Sequence, residues 1–394
     1  MTNAKSCRTW LRVTLGLALC PVGATIPRPP NASPQVRIIR TPNGGIQPQV
    51  AVDRAGVIHM VYLTGPETAS DIYYVQKGPH ETGFSQPIRV NSVPGSAMSI
   101  GTVRGAQIAA GRGGRVYVAW LGSDKAMPRG PGNKTPMLFS RLNDAGTAFE
   151  PQKNVMQFAV GLDGGGSVAA DQSGNVYVVW HGNPDENGET NRRVWVARSR
   201  DEGKTFEREI AASRLSAGAC GCCGLRAFAD NRGTLYILYR AAREGIHRDT
   251  TLLVSTDQAK TFKSEDVAPW ELKACPMSTN YISEAGRETL IAWQTETQVY
   301  FAAVSRRGLK VSAPVPAPGK GIGRQHPVVI GNSKGQVLFA WTDGTGWRRG
   351  GTIGWQVFDE KRGLTLARGT ATDLPVWDSV AAFQDAGGGF YIIY

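Results

Sequence analysis

Charged residues make up only 19% of this 394-residue sequence. Beyond residue 24, no run approaches the ~20 apolar residues that a membrane-spanning helix requires, which excludes a helical span from the rest of the chain. No nucleic-acid-binding motif accompanies the formal charge of +12. That excess is therefore read as a solubility feature or as a preference for anionic partners such as acidic glycans, and nucleic acid is not expected. No cysteine pair has a standard zinc spacing. Glycine and proline, by contrast, are abundant at 48 and 23, and strand-like runs ending in Trp or Tyr recur. Together with the low charge, this predicts an all-β chain of short strands and tight turns.

Residues 1–24 follow a different plan. Lys5, Arg8 and Arg12 precede an apolar run from Val13 to Leu19, and Val22-Gly23-Ala24 supplies small residues at −3 and −1, the pattern of an export signal. Cleavage is expected near Ala24, with 25–34 a linker and 35–394 one domain. Cys20 offers a lipid anchor as the alternative, for which the preceding Leu19 is too large. Removing Lys5, Arg8 and Arg12 leaves a mature charge of +9. The expected product is a soluble, monomeric protein, secreted or periplasmic.

The strongest signal is an internal repeat: a short apolar run, a turn with glycine, then a strand closing on an aromatic residue. The closers are Tyr62, Trp120, Trp180, Tyr239, Trp293, Trp341 and Tyr394, spaced by 58, 60, 59, 54, 48 and 53 residues. Gly56, Gly114, Gly174, Gly233, Gly335 and Gly388 stand six places before their closers, and Gly286 seven before Trp293. Such spacing suits four strands and their turns, the blade of a β-propeller, whereas a β-sandwich would not need it. In the third unit the strands are expected at 166–170, 176–180, 194–197 and 206–210. Seven blades are favoured over six. The seventh unit stops at Tyr394, and residues 36–40, which resemble a fourth strand, are expected to close the ring beside it.

Ser199-Arg200-Asp201-Glu202-Gly203-Lys204-Thr205-Phe206 matches the Asp-box pattern; residues 255–262 repeat it with Ala259 for glycine, and 143–149 form a decayed copy. On these boxes the chain resembles the sialidase-like propellers, over nearly all of residues 35–394. The resemblance implies a propeller and, as one activity, glycoside hydrolysis. Sialidases carry an Arg-Ile-Pro motif near the first inner strand; here Gly45-Ile46-Gln47-Pro48 stands there, with Gln47 in place of the arginine, and no tyrosine nucleophile is assigned. A closer resemblance is to exported bacterial sialidase-like proteins that combine Cys220-Gly221-Cys222-Cys223 with Trp270 and Cys275-Pro276-Met277.

Alternating strand directions put the loops entering strand one on the same face as those joining strands two and three, with the Asp boxes opposite. The entry loops of units four to seven then bring Cys220, Cys222, Cys223, Cys275, Met277, Arg324, His326, Trp377 and Asp378 toward the axis. For the cysteines, two disulfides are expected in an exported chain, with Cys223 to Cys275 tying adjacent blades. The alternatives are a copper or zinc site, with Met277 or His326 as further ligands, and a redox pair. Arg240, Arg243, Arg324, Arg348 and His326 are the substrate-binding candidates, Trp347 the stacking candidate, and Asp249 the acid or base, with Asp343 a second carboxylate. His181 and His247 read equally well as solvent-facing, and Trp180, Trp293 and Trp341 as packing residues. Three functions stay open: a glycoside hydrolase acting on an anionic glycan, a non-catalytic glycan- or protein-binding propeller, and a thiolate–metal protein.

Overall fold

The computed structural model describes residues 34–394 apart from 184, 186–187, 306–309 and 360. The expected export signal with its cleavage near Ala24, and Cys20 as a lipid anchor, lie outside the described residues. The described chain is a seven-bladed β-propeller: six four-stranded antiparallel sheets and one of three strands. Blade three consists of Ser167–Ala170, Val176–Gly182, Arg193–Ser199 and Ile210–Ala211. Its last strand is shorter than expected and starts later, because Phe206 packs under the Asp-box turn, edge-on to Phe139, instead of entering the sheet.

The glycine before each second strand takes positive φ, between 56° and 89°, which costs a residue without Cβ little and turns the chain directly into the next strand. The second strands are the most apolar because both their faces are covered; Val116–Leu121 and Leu235–Arg240 are buried throughout. Six of the seven closing aromatics are at most 4% exposed, and Tyr394 is 9% exposed. Trp180 donates its indole N–H to the Ala159 carbonyl at 2.8 Å, so the packing role expected of it holds.

The Asp boxes are turn clamps. Asp201 accepts from the Thr205 amide at 2.9 Å and from its hydroxyl at 2.6 Å, and Ser199 Oγ accepts from the Gly203 amide. Asp257 and Ser255 repeat the arrangement around Ala259. In the decayed copy, Asn143 Oδ1 takes the Thr147 amide at 2.9 Å. The Glu202 amide donates to the Gly174 carbonyl, which sets this box beside the strand one to two turn.

Ring closure differs in detail from the expectation. Val36–Ile39 does pair beside the last unit, but it occupies the third position of the seventh blade, parallel to Phe390–Ile393. Ile38 packs on the core shared by blades five to seven, and Ile39 on the core between blades seven and one.

Candidate functional site

A cleft of about 150 Å³ opens on the face opposite the Asp boxes. It is built from the entry loops of blades two, five, six and seven, with Thr102, Met277, His326, Trp377 and Asp378, and from the Trp347 and Arg349 loop of blade six. Its backbone is strained: Thr102, Met277, His326 and Trp377, with Gln47 alongside, have φ between 47° and 64°. None is glycine or asparagine, and each such residue costs about 1–3 kcal/mol. At Gln47 and His326 the strain coincides with slips in strand register, between Ile46 and Gln49 and between Gln325 and Val328. This clustering at the axis marks the cleft as a built site.

Asp378 is its chemical centre. It is 2% exposed, and its Oδ1 accepts from the amides of Gln47 at 2.7 Å and Ser379 at 2.8 Å. Its Oδ2 is buried without a partner. Burial lifts the carboxyl from 3.8 to about 7, against the pull of those two amides and of Arg40. Gln47, where sialidases carry arginine, is a brace: its Nε2 donates to the Ser99 carbonyl at 2.5 Å and the Trp377 carbonyl at 2.7 Å. Trp347 is 61% exposed and stands edge-on to Trp377, with centroids 4.7 Å apart. His326 is buried with Nδ1 2.9 Å from Thr342 Oγ1; burial lowers it to about 4, so it is neutral at pH 7.

Because the Asp378 pKa is raised on folding, the stability it contributes is complete below pH 3.8 and lost as pH rises through about 7. Wild-type stability is therefore expected to fall between pH 4 and 8 by up to roughly 4 kcal/mol relative to Asp378→Asn, whose profile loses this slope. Thermal melts of both proteins across that range check it; parallel curves would mean the carboxyl ionises freely.

A second cavity of about 40 Å³ shares Thr102 and His326 with the cleft and reaches Arg226. The guanidinium donates to Gln49 Oε1 at 2.7 Å and to Gln107 Oε1, and lies 4.9 Å from the Tyr281 ring centroid. Among the described residues no carboxylate pairs with it within 4 Å. Sequence reading missed this residue, since an arginine opening an inner strand looks like any other.

The cysteine turn borders the cleft through Cys275 and Met277. The pairing corrects the expectation: Cys222, not Cys223, is joined to Cys275. Cys220 and Cys223 are free, buried and 2.6 Å apart at Sγ. The sulfurs of Cys220 and Cys222 stand 3.5 Å apart. Burial pushes the Cys223 thiol up, but the hydrogen bond from Cys220, the charge of Arg240 and Ser278 outweigh it and lower it below the usual thiol range. The same bond, with burial, raises Cys220.

The other predicted site residues lie outside the cleft. Arg240 is 2% exposed; its guanidinium donates to Ser278 Oγ at 2.7 Å, the Arg248 carbonyl at 2.5 Å and the Gln294 carbonyl, and lies over Trp270. Arg324 is 5% exposed and bonds Gln298 and the carbonyls of Pro318 and Gly319. Both hold loops together. Asp249 Oδ1 caps the Trp270 amide at 2.9 Å, and Asp343 Oδ1 caps those of Ile322 and Gly323. Arg243 reaches Asp249 and Glu244 at the surface, and Arg348 pairs with Glu67 at 3.0 Å. His181, read as solvent-facing, is 2% exposed, its Nε2 2.9 Å from the Cys223 carbonyl. His247 is partly exposed, 3.6 Å from Glu244 and 3.7 Å from Glu271.

No protein-family model and no curated protein matches this chain. Solved structures do. A protein of unknown function from Dyadobacter fermentans superposes with a TM-score of 0.55 at 13% identity, covering 79% of this chain and 93% of that one. The α-L-arabinanase of Penicillium chrysogenum, complexed with arabinobiose, gives 0.52 at 13% identity over 85% and 100%. The NanB sialidase of Streptococcus pneumoniae gives 0.50 at 8% identity over 88% and 71%. At such identities the likeness is one of fold: a sialidase-like propeller.

Proposed function

We propose that this protein is an exported propeller that binds a negatively charged saccharide in the cleft over its axis, with Asp378 as the acid that protonates the glycosidic oxygen. The observation that carries this reading is Asp378 itself, a buried carboxyl in the cleft wall, raised to about 7 and with one oxygen unpartnered. A carboxylic acid still protonated near neutrality is what general-acid catalysis needs. Trp347 offers an exposed stacking face, and Arg349 in the wall and Arg226 below supply positive charge. Two of the similar structures are named as carbohydrate enzymes, one of them holding arabinobiose. Export rests on residues 1–24, whose charged, apolar and small-residue segments follow in signal-peptide order.

The test is turnover of a panel of neutral and acidic glycosides by wild type and by Asp378→Asn. Turnover of an acidic glycoside that is lost in the variant supports the reading; no turnover across the panel sinks the catalytic part. A second reading, binding without chemistry, draws on one observation: Asp378 is the only carboxyl among the described residues lining the cleft, whereas most glycosidases use two. It predicts saturable binding of the same ligands without cleavage. Under either reading Trp347→Ala is expected to weaken binding about tenfold, with stability changed by no more than about 0.5 kcal/mol because the ring is exposed. Calorimetric titration beside a thermal melt separates the two effects.

A further inference from the structure

We propose that Cys220 and Cys223, with the thioether of Met277 beside them, bind one Cu(I) ion next to the Cys222–Cys275 disulfide.

The donor set comes first. The sulfurs of Cys220, Cys222 and Cys223 lie within 4.8 Å of one another on one buried turn. Cys222 is committed to Cys275, so the other two thiols face each other at 2.6 Å, and Met277 packs against the group. No histidine, aspartate or glutamate belongs to the cluster among the described residues. An all-sulfur set of two thiols and a thioether is too small for tetrahedral zinc and suits a soft monovalent ion.

The charge around the turn points the same way. Arg240 is buried, and its guanidinium donates to a hydroxyl and two carbonyls; among the described residues no carboxylate lies within 4 Å of it. A buried cation with no carboxylate in contact is costly. One of those partners, Ser278 Oγ, stands 3.6 Å from Cys223 Sγ, which places the positive charge one hydrogen bond behind the thiol pair. Binding Cu⁺ to two thiols releases two protons and leaves a bis-thiolate copper unit of charge −1, one hydrogen bond from an Arg240 that no carboxylate contacts. Met277 lies in the wall of the cleft and gives the ion a way in.

The experiment is an anaerobic titration of the full chain, with the Cys222–Cys275 bridge intact, in which bicinchoninate competes for Cu(I). One Cu(I) per chain is expected, with two thiols protected from alkylation while it is bound. Cys223→Ser loses the competition. Met277→Leu keeps both thiols and the apolar packing and lowers affinity about tenfold, so a folding defect in the cysteine variant leaves the proposal open to refutation. Failure to compete, alkylation as fast with copper as without, full affinity in Met277→Leu, or stoichiometric zinc in preference to copper would each overturn it. So would a second disulfide between Cys220 and Cys223 whose re-reduced thiols take up no Cu(I).

Discussion

Ile38→Asp is expected to open the propeller. The strand Val36–Ile39 closes the seventh blade against Phe390–Ile393, and its side chains alternate between two cores, Ile38 to one and Ile39 to the other. A carboxylate at position 38 must either remain in an apolar contact or pull the strand off the sheet. Leaving the sheet forfeits both packing contacts and exposes the hydrogen-bonding edge of Phe390–Ile393. The loss is put at about 3 kcal/mol or more, seen as a lower melting temperature together with concentration-dependent association on size exclusion. Arg37→Asp is the control: Arg37 is exposed, donates to the Tyr391 hydroxyl and lies over that ring at the rim, so it should stay monodisperse. If both variants melt like the parent, the ring is held shut by something other than this strand.

The second large effect concerns Cys222 and Cys275. Their bond ties the entry loops of blades four and five across a sequence separation of 53, for which chain-entropy reasoning gives about 4 kcal/mol. For a domain of this size that is a fall in melting temperature of roughly 5 °C. The clean variant changes both residues to serine. Cys275→Ser alone would leave a third thiol at position 222, 3.5 Å from Cys220, and invite exchange into a wrong pair. A double variant that melts with the parent would show that strand pairing alone sets the stability of this face.

The architecture could be read from residues because its signals are local. A glycine that must turn with positive φ and an aromatic that must close a buried strand recur in every blade, and each is placed by its neighbours within ten positions. The cleft was only half readable. The pattern of strand directions gathered Met277, His326, Trp377 and Asp378 on one face, but nothing in their identities announced that their backbones would be strained, since strain is imposed by the ring. Arginines were the hardest to place. Arg240 ends an inner strand and Arg324 begins one, so both are drawn into the packing. Arg349, a loop neighbour of Arg348, lines the cleft while Arg348 turns outward to Glu67. Cysteine pairing escaped for a similar reason: Cys222 and Cys223 are adjacent, and the shape of one turn decides which of them faces Cys275.

A blade assembled from residues 36–39 and 381–393 also has a timetable. The ribosome delivers Arg37 354 residues before the Tyr391 it will lie beside, an interval of roughly 20 to 70 s at ordinary elongation rates. Through that time six blades can stack in order while the strand at 36–39 has nowhere to go, and the clasp shuts only when the strand at 390–393 has been made. A polypeptide released early would keep an unmatched strand at its front and an open sheet edge at its back, a ready mark by which incomplete copies could be told from finished ones.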